Sequence, residues 1–253
     1  MVGRGTKLFD YITDDNKVYL AEIAFGAATD TQDAQGQVVA RSSNIPSIDA
    51  LEAVLPQFVG TIHQTPPMYS ALQQGGKRLY ELAREGKRVE ISARPIEVYE
   101  ISDVQQRTKD SFLLRIRCGK GTYIRTLCQD IGKALGCPAH MRFLLRERVG
   151  DFTLEKGITP EELKAFIAQG VPTAQWLHEP DQYLNHLPQL DVPHSLQKPL
   201  INGVSLNVQD IPGGASLPEN AFVRLYLNKQ FICISQRAGQ RLPMRTMYHI
   251  GLP

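Results

Sequence analysis

The stretch that most restricts how this chain can fold is Gly119-Lys120-Gly121-Thr122-Tyr123-Ile124-Arg125-Thr126-Leu127, continuing through Cys128-Gln129-Asp130-Ile131-Gly132. Ahead of it, Ser111 to Cys118 has the pattern of a strand, with Phe112, Leu114 and Ile116 apolar and cations at Arg115 and Arg117. Behind it, Ile124, Leu127, Ile131 and Leu135 fall on one helical face, and Gly136 and Pro138 stop the helix. A strand therefore hands over to a helix at two glycines and a lysine. Thr122, Tyr123 and Arg125 lie in or near the first turn, where unpaired N–H groups and the positive end of the helix dipole attract anions. The spacing is not that of a nucleotide-binding P-loop, which needs four residues between its glycines where Gly119 and Gly121 have one. On spacing alone, Arg125 reads first as a surface cation and only second as a catalytic group.

Charge narrows the partner. The net formal charge of the 253 residues is only +2. Residues 77–148 nevertheless carry +7, flanked by −4 before and −1 after. A basic middle third suits a polyanion groove, and equally a solvated basic face. No apolar run approaches a membrane span, and the N-terminus lacks the order of a signal peptide. Cys118, Cys128, Cys137 and Cys233 show neither C-x-x-C pairing nor a zinc-like arrangement with histidine, so reduced thiols in a cytoplasmic protein are expected.

Taken in order, Thr6 to Ile12 reads as a short helix with Leu8, Phe9 and Ile12 inward, and Asp14-Asp15-Asn16 as a turn. Lys17 to Phe25 alternates as a strand, Gly26 to Gly36 is a polar loop, and Gln37 to Ala40 resumes as a strand. Ser47 caps a helix from Ile48 to about Phe58, with Leu51, Val54 and Leu55 on one side and Gly60 beyond its end. Prolines extend Thr65–Leu72, and a basic helix is expected from Gly75 to Gly86. Ala93 to Ile101 opens a strand that pairs with Ser111–Cys118. Thr159 with Pro160 starts a helix running to about Gln169. Prolines then punctuate a linker-like stretch, followed by a Pro212-Gly213-Gly214 turn and strands near Phe222–Leu227 and Gln230–Ser235.

GKGTYIRTL followed by DIG resembles the arginine motif of the bacterial tRNA pseudouridine-55 synthase (TruB) family. Other strings agree with it. Val2-Gly3-Arg4-Gly5-Thr6-Lys7 is similar to the family's V-G-x-A-T-K, Lys17-Val18-Tyr19 to its K-x-Y, and Gly26–Gly36 to its G-x-x-T-D-T-x-D-x-x-G. Residues 66–86 match its P-P-x-Y-S-A-L and G-x-R-x-Y-E-L-A-R-x-G. His140 onward resembles H-x-x-x-L-R-R-x-x-x-G-x-F but has Leu145 where arginine is usual. The resemblance implies an α/β (α+β) fold: a mixed, largely antiparallel sheet flanked by helices, then a small β-rich module similar to the PUA type. The expected domains are 1–185, with a thumb-like RNA-contact region at about 64–94, and 186–253.

The activity implied is isomerisation of uridine 55 in the tRNA T-loop to pseudouridine, with no metal and no organic cofactor. Carried over, Tyr19 and Arg125 are catalytic, with Tyr19 stacking on the flipped base and Arg125 pairing with a nucleophilic aspartate. Tyr123 and Leu144 line the base pocket, Leu145 being the second choice to Leu144. Lys7, Lys17, Asp33, Tyr69, Lys77, Arg78, Arg84 and Lys120 contact RNA, a tRNA T-stem-loop, and the complete protein is expected to be a monomer. Simpler readings stand beside these: a half-buried structural Tyr19, packing roles for Tyr69 or Tyr80, and a hydrogen-bonded structural His140.

The family's signature, G-H-T-G-T-L-D-P-x-A-x-G-V-L, belongs upstream of V-G-x-A-T-K, whereas the sequence opens at Met1-Val2-Gly3 and has no aspartate in a D-P-x-A setting. The expectations are therefore a sheet incomplete at its front, apolar surface left exposed, Arg125 without a partner, and no turnover by the chain as written. The alternative function is a non-catalytic tRNA-binding or tRNA-folding protein.

Overall fold

The structure, a computed structural model, describes residues 3–12, 16–87 and 89–248. A 3₁₀ turn at Gly3–Leu8 runs into α1 (Phe9–Ile12), followed by β1 (Lys17–Phe25) and the hairpin of β2 (Ala27–Thr29) and β3 (Val38–Arg41). Next come α2 (Ile48–Val54), β4 (Gly60–Gln64), β5 (Gln73–Gln74), β6 (Lys77–Arg78) and α3 (Leu79–Arg84). β7 (Arg94–Thr108) and β8 (Ser111–Cys118) lead into α4 (Ile124–Ala134), then β9 (Ala139–Val149) and β10 (Phe152–Thr153). The remainder holds α5 (Pro160–Ala168), β11 (Gln189–Asp191), α6 (Gln197–Ile201), β12 (Leu206–Asn207), β13 (Phe222–Leu227), β14 (Gln230–Gln236), β15 (Arg241–Leu242) and β16 (Met244–Met247). Chain packing separates two units, residues 14–157 and residues 1–13 with 158–253.

In the first of these, six strands run β10-β9-β1-β8-β7-β4, with every neighbouring pair antiparallel. Residues directly opposite across such a ladder point to the same face. Tyr19 faces Ile116 on one side and Arg146 on the other; Ala21 faces Leu114 and Leu144. These residues share the sheet face on which α2 and α4 pack, where Ile23, Phe112, Leu114 and Ile116 meet Leu51, Val54, Ile124, Leu127 and Ile131 in one core. The helix periodicity is thus spent on the sheet. At Gly132 the approach is so close that an added Cβ would stand 2.6 Å from Cβ of Ala139 and 2.7 Å from the Cys137 carbonyl oxygen.

Several elements differ from expectation for identifiable reasons. Gly75 and Gly76 both have positive φ, 59° and 81°, which suits a two-residue hairpin turn. They join β5 to β6, so the basic helix starts at Leu79 rather than Gly75. The helix capped by Ser47 changes to a 3₁₀ turn at Leu55–Phe58, where Pro56 supplies no N–H. Phe9 points outward, 57% exposed, while Leu8 and Ile12 are buried. In the turn expected at residues 14–16, Asp14 and Asp15 lie outside the described residues.

The other unit is built on a four-stranded sheet ordered β11-β13-β14-β16, parallel at β11–β13 and antiparallel elsewhere. Leu190, Leu200, Val208, Val223, Leu225, Ile232 and Leu242 form its core. α5 begins as expected: the Thr159 hydroxyl accepts from the Glu162 N–H, and the Glu162 carboxylate accepts from the Thr159 N–H, a reciprocal cap. All four cysteines are buried and unpaired.

Candidate active site

The head of α4 is held by two segments distant in sequence, residues 64–69 and 32–33. Tyr123, its N-cap, has extended dihedrals (φ −97°, ψ 105°) and no capping side chain of its own. The amide of Gln64, at the end of β4, instead holds the backbone of Tyr123 itself: Oε1 accepts from the Tyr123 N–H at 2.8 Å, and Nε2 donates to the Tyr123 carbonyl at 3.1 Å. Gln64 is only 2% exposed.

Two residues on, Arg125 donates from Nη1 to Oδ2 of Asp33 at 3.1 Å and from Nη2 to the Tyr69 carbonyl at 3.0 Å. The expectation that Arg125 lacks a partner is therefore corrected. The carboxylate comes from the polar loop 92 positions earlier, which no local pattern connects to the helix. Asp33 is itself fully engaged, its Oδ1 accepting from the Thr31 hydroxyl at 2.7 Å and the Gln35 N–H at 3.1 Å.

The loop carrying Asp33 is pinned by Gln32, a residue with φ of 66°. Its side chain accepts from the Thr126 hydroxyl at 2.7 Å and donates to Gln129 at 2.9 Å, while its carbonyl accepts from the Met141 N–H at 3.0 Å. At Gly36 a Cβ would run into Thr31 and Asp30, so only glycine permits the fold of this loop. A cleft of about 730 Å³ opens beside it, lined among others by Gln32, His63, Met68, Thr126 and Gln129.

Tyr19 is half-buried on the α4 face of the sheet and packs against the core. Burial, and next the neighbouring Cys118, push its hydroxyl above the usual tyrosine pKa, against a weaker opposing effect of a hydrogen bond with Arg146. It is therefore a neutral hydroxyl at physiological pH. Leu144 shares its face and is 39% exposed, and Tyr123 is half-buried at the head of the helix. His140 Nδ1 lies 2.9 Å from the Ala27 carbonyl, a structural hydrogen bond.

The basic residues are dispersed. Arg78 and Arg84 flank the Tyr80 ring, with guanidinium carbons 6.0 and 5.6 Å from its centre. Lys77 is exposed and ion-paired with Glu85 at 2.8 Å, and Lys87 pairs with the same carboxylate. Hydrogen bonds from the two lysines hold the Glu85 carboxyl well below the usual range. Lys17 begins β1, Lys120 is exposed in the loop before α4, and the side chain of Tyr69 is half-buried. Lys7 is exposed in the 3₁₀ turn of the other unit. Sequence reasoning missed Gln64, Gln32, Thr126 and Arg146. Each is a polar residue whose importance lies in a distant partner, and only the position of Gln64 just before Pro66-Pro67 offered any signal. Among the described residues, no cluster of His, Cys, Asp and Glu is arranged to hold a metal ion, and no helix is long and apolar enough to cross a membrane.

A guanidinium fixed at the head of a helix, beside a sheet carrying a half-buried tyrosine, is an arrangement whose fold has known counterparts. The chain is similar to the structures titled "Crystal Structure of a Cbf5-Nop10-Gar1 Complex" (TM-score 0.66, 22% identity, 98% of this chain and 71% of that one) and "Structure of H/ACA RNP bound to a substrate RNA containing 2'-deoxyuridine" (TM-score 0.64, 20% identity, 98% and 70%). At that identity the likeness speaks for the fold. Residues 1–124 match the family described as TruB family pseudouridylate synthase (N terminal domain), and residues 125–186 match the tRNA pseudouridylate synthase B C-terminal domain. The protein named tRNA pseudouridine synthase B of Bacillus pumilus is 42% identical over 215 residues, 83% of this chain and 69% of the relative. The protein of that name from Francisella tularensis subsp. novicida is 48% identical over 164 residues, 64% of this chain and 54% of the relative. The chain belongs to the TruB family of pseudouridine synthases, which are isomerases.

Proposed function

We propose that this chain carries, at the head of α4, the site with which its family acts on uridine 55 of the tRNA T-loop. The observation that carries this reading is Arg125, gripped by Asp33 and the Tyr69 carbonyl yet with a quarter of its side chain still exposed. In the reaction the C1′–N1 bond breaks, the base turns, C1′ joins C5, and the C5 proton is lost as N1 gains one. Tyr19 would stack on the flipped base and move the late proton through its neutral hydroxyl. Tyr123 and Leu144 would border the base, and the Arg125 guanidinium, held by Asp33 and the Tyr69 carbonyl, would keep the family's reacting carboxylate ionised beside it. Lys7, Lys17, Tyr69, Lys77, Arg78, Arg84 and Lys120 would meet the RNA backbone and loop, with Asp33 acting through Arg125 and the fold of its own loop. The β module from residue 186 onward would add RNA contact as a PUA-like unit. No metal or organic cofactor enters this scheme.

The second reading, a protein that binds and folds tRNA without converting it, is favoured by one observation. Asp33, the carboxylate facing Arg125, accepts three hydrogen bonds and is tied into its loop, so it is not free to attack a sugar carbon. We therefore propose that the 253-residue polypeptide binds RNA without turning it over. A T-stem-loop labelled at uridine C5 with tritium separates the readings. Binding that weakens steeply with salt, with no tritium release, is the expected result. Tritium release would overturn the assignment of Asp33 as a purely structural partner, and absence of binding would overturn the RNA reading altogether.

A further inference from the structure

We infer that Gln64 is a positioning residue, which sets the Arg125 guanidinium by clamping the backbone of Tyr123; the inference rests on the reading of Arg125 as a site residue given above. A primary amide carries a donor and an acceptor side by side. It therefore complements the N–H and C=O of one extended residue, as a neighbouring strand would. Gln64 does this to Tyr123 with bonds of 2.8 and 3.1 Å, at 2% exposure, and so fixes the backbone of the residue that begins the helix. The Tyr123 carbonyl also accepts the first helical bond, from the Leu127 N–H at 3.0 Å, so the clamp acts on the residue that starts α4.

The same short segment reaches the helix a second time. Five residues after Gln64, the Tyr69 carbonyl accepts from Arg125 Nη2 at 3.0 Å. Between the two contacts lie Pro66 and Pro67, both buried, which fix φ and stiffen the link. Gln64 and Tyr69 thus hold positions 123 and 125 from one stiff strap, and Asp33 holds Arg125 from another element. No other residue can replace the clamp fully. Leucine and methionine offer no polar atoms, asparagine is one methylene short, and ionised glutamate lacks the donor; only a protonated glutamate has both functions.

The test follows the Arg125 guanidinium N–H signals by nitrogen-15 NMR in the 253-residue chain, assigned with the Arg125→Lys variant. In the parent, two anchored nitrogens should slow rotation of the guanidinium and keep its Nη signals resolved. Gln64→Met keeps length and packing but removes both bonds. It is expected to collapse the Nη signals into an averaged one and to speed exchange of the Tyr123 amide by about tenfold or more. Gln64→Glu supplies a second route if the methionine variant does not fold. At about pH 5.5 its neutral carboxyl can donate and accept, giving parent-like signals, and at about pH 8.5 ionisation should abolish them, while the parent stays the same at both.

Resolved, parent-like Arg125 signals in a folded Gln64→Met protein would overturn the inference. So would a Gln64→Glu protein whose signals do not differ from the parent's at either pH. RNA binding by the parent is scored separately. A parent that binds no RNA sinks the functional reading, whereas an Arg125 deaf to Gln64 sinks the positioning role alone.

Discussion

Several arginines in this chain donate to backbone carbonyls, and two of them, Arg224 and Arg125, differ in what is left over. Arg224, in the unit containing β13, is 8% exposed and donates to the carbonyls of Leu187 and Asp181 at 3.0 and 3.2 Å, to Asn185 Oδ1 at 3.2 Å and to the Tyr226 hydroxyl at 3.4 Å. Arg125, in the unit containing the six-stranded sheet, makes two contacts, and 26% of its side chain remains exposed. The first is a charge consumed by structure: its donors tie the 181–187 segment to a strand. The second is held in place without being used up, which the role proposed for it requires. Strong engagement alone does not mark a functional cation, and Arg115, paired with Asp103 and Glu147 yet 43% exposed, shows that residual access alone does not either.

The widest test of that contrast is alanine at each position. Arg224→Ala takes the donor from four oxygen acceptors, two of them backbone carbonyls, so a loss on the order of 3–5 kcal/mol is expected. Arg125→Ala releases a partly exposed ion pair that water can replace, and should cost no more than about 1 kcal/mol. Urea denaturation of the two variants reads the difference. Equal losses would dissolve the distinction.

Tyrosines repeat the comparison. The Tyr226 hydroxyl donates to Asp181 at 2.7 Å, and burial, then Asp181, push its pKa up to about 12. Its ordinary value is near 10, so the folded state holds this proton more tightly than the unfolded one. The stability it contributes is complete below about pH 10 and is lost as pH rises toward about 12, on the order of 2 kcal/mol in all. Tyr226→Phe should be less stable at neutral pH yet lose less on going to alkali, as followed by circular dichroism between about pH 9 and 12. A parallel alkaline decline in both proteins would show that other groups govern it.

Tyr19 is the accessible counterpart. Tyr19→Leu should weaken RNA binding by about 1–3 kcal/mol through lost stacking, while Tyr19→Phe, which keeps the ring, should bind as the parent does. Filter binding decides between them. If leucine binds as tightly as tyrosine, the half-buried ring is structural and the simpler reading of it stands.

How far all this was legible in the residues depended on range. β1, β8, α4 and α5 follow from alternation, periodicity and caps, all of which act within a few residues. β7 runs to Thr108, well past the expected Ile101, because Gln105 to Thr108 are polar and owe their strand geometry to pairing with β8. Gly75-Gly76 was misread because a helical pattern follows directly and hid a turn that two positive-φ glycines favour. Tyr19 and Arg125 could be named from their motifs, but the Arg125–Asp33 pair and the Gln64 clamp could not. They join residues 92 and 59 positions apart, and a polar residue at a strand end looks the same whether it faces water or a helix cap.

The smallest expected effect concerns Lys77, which on the reading proposed here must leave Glu85 before it meets a phosphate. Lys77 and Lys87 both bond the Glu85 carboxylate at 2.8 Å. Replacing Lys77 and Arg78 together by alanine should flatten the log–log salt dependence of RNA binding by roughly 0.7–1.4, the equivalent of one or two phosphates. Glu85→Gln should act in the opposite direction. It removes the competing anion and frees two lysines, and exposed pairs of this kind are weak. Affinity should therefore rise by about two- to fivefold at low salt and converge with the parent's at high salt, where screening has already weakened the pair. The combination discriminates where either variant alone does not. If Lys77 meets the RNA, adding Lys77→Ala to Glu85→Gln cancels part of the gain; if it is only solvated, the gain persists undiminished and belongs to Lys87.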